Sequence, residues 1–221
     1  MFTGIIQSIA TIAAIHDQED LRTITLTFEE GFCHDLTLGA SVSVDGVCLT
    51  VIKLHHGDRA DFDVMLQSLK TTTLCEASLG LHVNVERAAK QGAEIGGHPL
   101  SGHVDFYGKI SDIRKPQNNH VLYVEVPLRW RRYIFAKGYI ALNGTSLTIS
   151  EVNHHEGWFE VWLIPETLRR TTFIEKKIGD LINIEIDRKT QVIVDTVRST
   201  VEELCTEGAK LRGVADACSR K

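Results

Sequence analysis

The feature that most constrains this chain is that it is written twice. Gly4-Ile5-Ile6 aligns with Gly102-His103-Val104, 98 residues further on. At the same offset Val44-Asp45-Gly46-Val47-Cys48-Leu49-Thr50-Val51 aligns with Leu142-Asn143-Gly144-Thr145-Ser146-Leu147-Thr148-Ile149. Gln67-Ser68-Leu69-Lys70-Thr71-Thr72-Thr73 then aligns with Glu166-Thr167-Leu168-Arg169-Arg170-Thr171-Thr172 at an offset of 99, as does Gly80–Glu86 with Gly179–Glu185. The extra residue falls between His55-His56-Gly57 and Asn153-His154-His155-Glu156-Gly157, polar glycine-containing segments that read as hairpin turns. Inside a strand one inserted residue flips every later side chain to the other face, whereas a turn absorbs it. The chain is a duplicated module.

Within each half the periodicity is that of strands. Thr23-Ile24-Thr25-Leu26-Thr27-Phe28 alternates threonine with apolar residues, and Val42, Val44, Leu49 and Val51 continue the period of two. Val121–Val126 and Trp158–Ile164 are rich in β-branched and aromatic residues. Short strands between frequent turn signals predict an all-β sandwich or barrel, and two small antiparallel barrels fit the length. After Thr190 the pattern changes: Ile193, Val197, Val201 and Leu204 form one helical stripe. Such a stripe buries itself on its own barrel or against copies of itself. The expected divisions are residues 1–97 and 98–188 for the barrels, 189–205 for the helix and 206–221 for a polar tail.

Composition narrows the function classes. Hydrophobic residues make up 43% and charged residues 24%, a globular balance, and the net charge of −5 comes with no basic block for nucleic acid. Met1–Ile6 lacks the basic and apolar regions of a secretory signal, and no stretch approaches the ~18 apolar residues of a membrane span. A cytoplasmic protein is expected. The five cysteines show no CxxC spacing, which argues against zinc and against a disulfide framework.

Several motifs carry polar chemistry. Cys48 and Ser146 occupy one repeat position, between an Asx-Gly turn and a Leu-Thr strand. Alone, each reads as a small core residue or a local hydrogen-bonder; together they point to two related pockets. Pro165–Thr172 combines a carboxylate, hydroxyls and two guanidinium groups, suited to a polyol or a heterocycle edge or else a polar strand end and loop. Its counterpart has Gln67 for Glu166 and Ser68 for Thr167, so the pockets are not equivalent. Glu94–His103 joins the halves; its three glycines, proline and two histidines read as a linker, with no phosphate-loop pattern. His55-His56 and His154-His155 read as solvated turn residues, and Lys137 as a surface charge.

Met1–Ile6, Gly46–Val51, Asn84–Ala88, Gly96-Gly97-His98 with Ser101-Gly102-His103, Gly144–Thr148, Leu163–Leu168 and Asn183–Asp187 resemble the riboflavin synthase family in order, over about residues 1 to 200. That resemblance implies two six-stranded Greek-key barrels, a C-terminal helix that assembles a homotrimer, and an active site between barrels of neighbouring chains. It implies one 6,7-dimethyl-8-ribityllumazine per barrel, four-carbon transfer between them, no cofactor and no metal, and a possible association with lumazine synthase. It places Gly4, Ile5, Ile6, Cys48, Leu49, Thr50 and Asp63, Val64, Met65, Leu66, Gln67 and Ser68 in the first pocket. It places Gly102, His103, Val104, Lys137, Ser146, Leu147, Thr148, Trp162, Leu163, Ile164, Pro165, Glu166 and Thr167 in the second and on the shared edge. Cys48, His103 and Ser146 are the expected proton-transfer or nucleophilic groups, with Lys137 and Asp187 orienting ligands. Family members often carry Glu-Thr at Gln67-Ser68 and Asp at Asn143; Gln and Asn retain hydrogen bonding but cannot act as carboxylate bases. The competing readings are a lumazine-carrying fluorescent antenna without turnover, and a flavin oxidoreductase, which would need a nicotinamide-binding unit that no glycine-loop motif here supplies.

Overall fold

The computed structural model describes residues 1–117 and 119–218. Met1–Asp187 form one compact unit holding two closed six-stranded barrels, and the C-terminal helix is a unit of its own. The first barrel comprises β1 (Ser8–Gln18), β2 (Leu21–Thr27), β3 (Ser41–Val44), β4 (Val47–His55), β5 (Arg59–Met65) and β6 (His82–Arg87), in the order β1-β2-β5-β4-β3-β6. The second comprises β7 (Phe106–Arg114), β8 (His120–Glu125), β9 (Tyr139–Leu142), β10 (Thr145–Asn153), β11 (Trp158–Leu163) and β12 (Leu181–Ile186), closed in the equivalent order. Even the irregularities repeat. Register shifts at Ile12/Ala14 and Val51/Lys53 recur at Ile110/Asp112 and Ile149/Glu151, where the extra residue bends the strand and helps the sheet close.

Alternation fills both cores. Ile12, Ile24, Leu26, Val42, Val44, Val83 and Val85 are buried in the first barrel, and Ile110, Leu122, Val124, Ile140, Leu142, Ile182 and Ile184 at the same positions in the second. Each such side chain contributes roughly 1.5–3 kcal/mol of burial. Where the first barrel has Ala60 and Phe62, the second has Phe159 and Val161; all four are buried, so the bulky ring moves along the strand while the pair keeps similar volume. The slip between repeats lies in the turn after β4 and β10, as predicted: residues 56–58 in one barrel and 154–157 in the other.

Two expectations need correction. Pro165–Thr172 is not a strand end and loop: α2 (Pro165–Arg170) starts with proline at its first turn, where a missing N–H costs nothing, and a 3-10 turn (Thr172–Glu175) follows. Its counterpart is α1 (Leu66–Thr71) with a 3-10 turn at Thr73–Glu76. The last helix, α3, runs from Arg188 to Cys218 and does not stop at residue 205; the remainder of the expected tail, 219–221, lies outside the described residues. Val192, Ile193, Val197, Val201 and Leu204 are exposed on it.

Candidate active site

The site begins where the two barrels exchange backbone. Asp45-Gly46 and Asn143-Gly144 form hairpin turns with φ positive at both residues, as the predicted Asx-Gly turns require. They pack against each other: a Cβ on Gly46 would stand 2.8 Å from Gly144 N, and one on Gly144 2.9 Å from Gly46 N. Around them four side chains cross. Asp45 Oδ1 accepts from Asn84 N, and Asn143 Oδ1 from Asn183 N, both at 2.8 Å. Asn84 Nδ2 donates to Asn143 O at 3.1 Å and Asn183 Nδ2 to Asp45 O at 2.8 Å. Asn143 is wholly buried and makes the backbone bond that Asp45 makes, so the Asp-to-Asn departure sits in the joint between barrels. Burial pushes the Asp45 carboxyl up to about 6.

Two buried glutamates then hold the segment entering each barrel. Glu86 accepts from Thr3 N (2.6 Å), Thr3 Oγ1 (2.7 Å) and Gly4 N (2.9 Å). Glu185 accepts from Ser101 N (2.7 Å), Ser101 Oγ (2.7 Å) and Gly102 N (2.9 Å). Burial raises the Glu86 carboxyl despite those donors. Each anchored segment crosses to the other barrel. Ser146 N donates to Gly4 O, and Cys48 N to Gly102 O, both at 2.8 Å. The expected grouping is thereby exchanged: Gly4 and Ile5 lie beside Ser146 of the second barrel, and Gly102 and His103 beside Cys48 of the first.

Around Cys48 the outward residues are Thr50, Met65, Leu66, Gln67 and His103, with Asp63, Ser68 and Val104 half-buried. Around Ser146 they are Ile5, Thr148, Trp162, Ile164, Pro165 and Glu166, with Leu147 and Thr167 half-buried. Ile6, Leu49, Val64 and Leu163 point into the cores; only their backbone is on offer to a ligand. Lys137 is exposed with φ +69 and sits where the first barrel has Gly39, each donating its N–H at 2.8 Å to the adjoining strand. A lysine in that conformation is backbone strain of the kind that clusters at functional sites.

The two surfaces differ in their polar equipment. His98, predicted only as part of a linker, is 3% exposed, and its Nδ1 is 2.6 Å from Ser146 Oγ. The ring stacks on Tyr139 at 5.0 Å, and its Nε2 is buried without a partner. Desolvation lowers its basicity, against the opposing field of Asp187. Gly97 lets this contact form: a Cβ there would meet Thr3 O at 2.2 Å and Ser146 Cβ at 2.7 Å. His98 lies in the segment joining the two barrels, outside the aligned repeats that start at Gly4 and Gly102. At α2, Glu166 binds Arg169 and Arg170, which hold its carboxyl low, whereas α1 carries Gln67, Lys70 and Thr71 in those places. Gln67 therefore lacks the two arginines that its second-barrel counterpart Glu166 binds. His55 Nε2 is 2.8 Å from Asp61, and the carbonyls of His154 and His155 accept from Arg131.

A body with two such surfaces is a tandem lumazine-binding protein: the Lumazine binding domain family matches residues 3–88 and again 101–187. Riboflavin synthase of Buchnera aphidicola subsp. Schizaphis graminum is 43% identical over 92% of this chain and 97% of its own. That of Escherichia coli K12 is 42% identical over 89% and 92%. LumP complexed with 6,7-dimethyl-8-(1'-D-ribityl) lumazine superposes with a TM-score of 0.76 at 25% identity, covering 84% of this chain and 99% of its own. The chain belongs to the riboflavin synthase family.

Proposed function

We propose that the chain transfers a four-carbon unit between two 6,7-dimethyl-8-ribityllumazine molecules, giving riboflavin and 5-amino-6-(ribitylamino)uracil. The equation balances without water, oxidant or reductant, in keeping with a reaction that uses no cofactor. The observation that carries this reading is the pair of matching surfaces in one compact unit, one around Cys48 and one around Ser146. A reaction of a molecule with its own copy needs two like sites, and fixed pairing of reactants lowers a barrier by roughly 7–11 kcal/mol in favourable cases.

In this reading a proton leaves the C7 methyl group of one lumazine, giving a carbanion spread over the electron-poor ring, and a nucleophile adds at C7 of the other. Cys48, His103 and Ser146 carry proton transfer and nucleophilic activation. His98, accepting from Ser146 Oγ, makes that oxygen the better nucleophile, as a neutral imidazole beside a hydroxyl does. The α3 stripe Ile193, Val197, Val201 and Leu204 joins three chains, bringing the first barrel of one against the second of its neighbour. Cytoplasmic location and an association with lumazine synthase belong to the same reading.

The test is to incubate purified protein with the lumazine and quantify products. One riboflavin per two lumazines consumed supports the enzyme. A stable, unconverted complex supports a lumazine-carrying antenna, a reading favoured by the likeness to LumP.

A further inference from the structure

The outer face of the second barrel carries an aromatic cluster that the first lacks. Glu160 and Trp162 lie two residues apart on β11 and so project from one face. Glu160 is only 7% exposed and accepts a hydrogen bond from Trp162 Nε1 at 2.8 Å. Tyr123, its direct partner on β8, interacts with the same carboxylate, which raises the tyrosine's pKa. The Arg114 guanidinium lies over the Tyr123 ring at 4.5 Å, and Trp158 meets that ring edge-on at 5.2 Å. The indole is thus tethered at its N–H, while Trp162 as a whole remains 46% exposed.

Its position matters. The ladder between β10 and β11 pairs Ile149 with Val161, so Trp162 follows on towards Thr148, with Ile164 two residues beyond on the same face. The corresponding first-barrel residues are Thr25, Asp61 and Asp63. Thr25 Oγ1 donates to Asp61 and Thr23 Oγ1 to Asp63, each at 2.7 Å. The same acid–hydroxyl pairing is present, without a ring to pack on.

We propose that Trp162 is an aromatic wall of the second-barrel surface, against which a planar heterocycle packs, and that Glu160, with Tyr123, is the positioning residue that sets the indole's angle. This rests on the reading that the Ser146 surface holds a lumazine. An indole offers an electron-rich face to an electron-poor ring, and an indole already fixed by its N–H loses little rotamer freedom when the ligand arrives. The two surfaces therefore hold the same molecule with unequal strength, the second more tightly.

Riboflavin, the product, is the probe, titrated into the full-length protein and its W162L, E160A and E160Q variants by calorimetry and flavin emission. Contact with indole quenches flavin emission, a signal that a purely structural role for Glu160 would not move. The unsubstituted protein is expected to show two classes of site. W162L should weaken the tighter class about 2- to 10-fold and abolish its contact quenching, leaving the weaker class within about twofold. E160A should shift both signals in the same direction, and E160Q, which keeps an acceptor oxygen, should restore most of them. Folded W162L and E160A proteins with both classes and the quenching unchanged would overturn the proposal while leaving the function intact. An unsubstituted protein that binds no riboflavin would overturn both.

Discussion

The Cys48 surface and the Ser146 surface share one repeat, yet their histidines differ: His98 is buried against Ser146, whereas His103, beside Cys48, is exposed. Cys48 and Ser146 both follow an Asx-Gly turn, and both are crossed by a glycine held by a buried glutamate. His98 reaches Ser146 from the segment joining the barrels, whereas Cys48 lies beside the exposed His103. Duplication supplies two matching surfaces, and the segment joining the barrels supplies one of the differences between them. Two like ligands can thereby be given unlike treatment.

The largest effect expected from this asymmetry is on turnover. Ser146→Ala should lower kcat by ~100- to 10,000-fold, the range for losing a proton-transfer group. His98→Gln should approach that loss, and the double variant should be no worse than Ser146→Ala alone, because the two act as a unit. Cys48→Ala combined with His98→Gln should instead multiply the two single effects. Steady-state kinetics of the three single and two double variants would expose the error if Cys48 and His98 proved the coupled pair.

Much of the fold behind this comparison was legible in the sequence, and its limits have physical causes. The repeat offsets located the slip in the turn after β4, and the Asx-Gly pairs announced two hairpins, because only such residues tolerate positive φ at both turn positions. What alignment could not show was the exchange of Gly4 and Gly102 between barrels. Repeats reveal which residues are equivalent, not which ones touch. His98 escaped notice as a site residue because it lies in the segment joining the barrels, outside the aligned repeats; Gly97 beside it was the available hint. Helices of six residues, α1 and α2, are too short to display a 3.6-residue period. The apolar stripe of α3 is clear only as far as Leu204, although the helix continues.

The joint between barrels offers the next contrast. Asp45 and Asn143 are equivalent and buried, but only Asp45 titrates. Its folded pKa of about 6 lies above the ordinary 3.8, so the folded state holds the proton more tightly. Its contribution to stability is therefore present below about pH 3.8 and lost as pH rises through about 6. Asp45→Asn should remove that loss, stabilising the protein above pH 6 by up to about 3 kcal/mol, from roughly two units at ~1.4 kcal/mol each. Asn143→Asp should do the reverse, costing a similar amount at neutral pH and recovering on acidification. Urea midpoints measured from pH 4 to 8 would check both, and parallel pH profiles for D45N and the unsubstituted protein would refute the assignment.

Gly4 and Gly102 should be costly to replace and nearly alike. Each has φ near +75, and a Cβ would meet Ser146 Cβ at 2.5 Å or Cys48 Cβ at 2.6 Å. Alanine at either is expected to destabilise by ~1–3 kcal/mol through strain and overpacking. A large inequality between their thermal midpoints would mean that the two crossings are not equivalent. The smallest change is expected at Lys137, where Gly, as at Gly39, should stabilise by up to about 1 kcal/mol by relieving left-handed strain. A loss of activity alongside that gain would mark the strain as functional.

Counting bound molecules tests the account at its root. Equilibrium dialysis of riboflavin against the full-length protein should reach two per chain, with the class that depends on Trp162 filling first. Saturation at one per chain would contradict it.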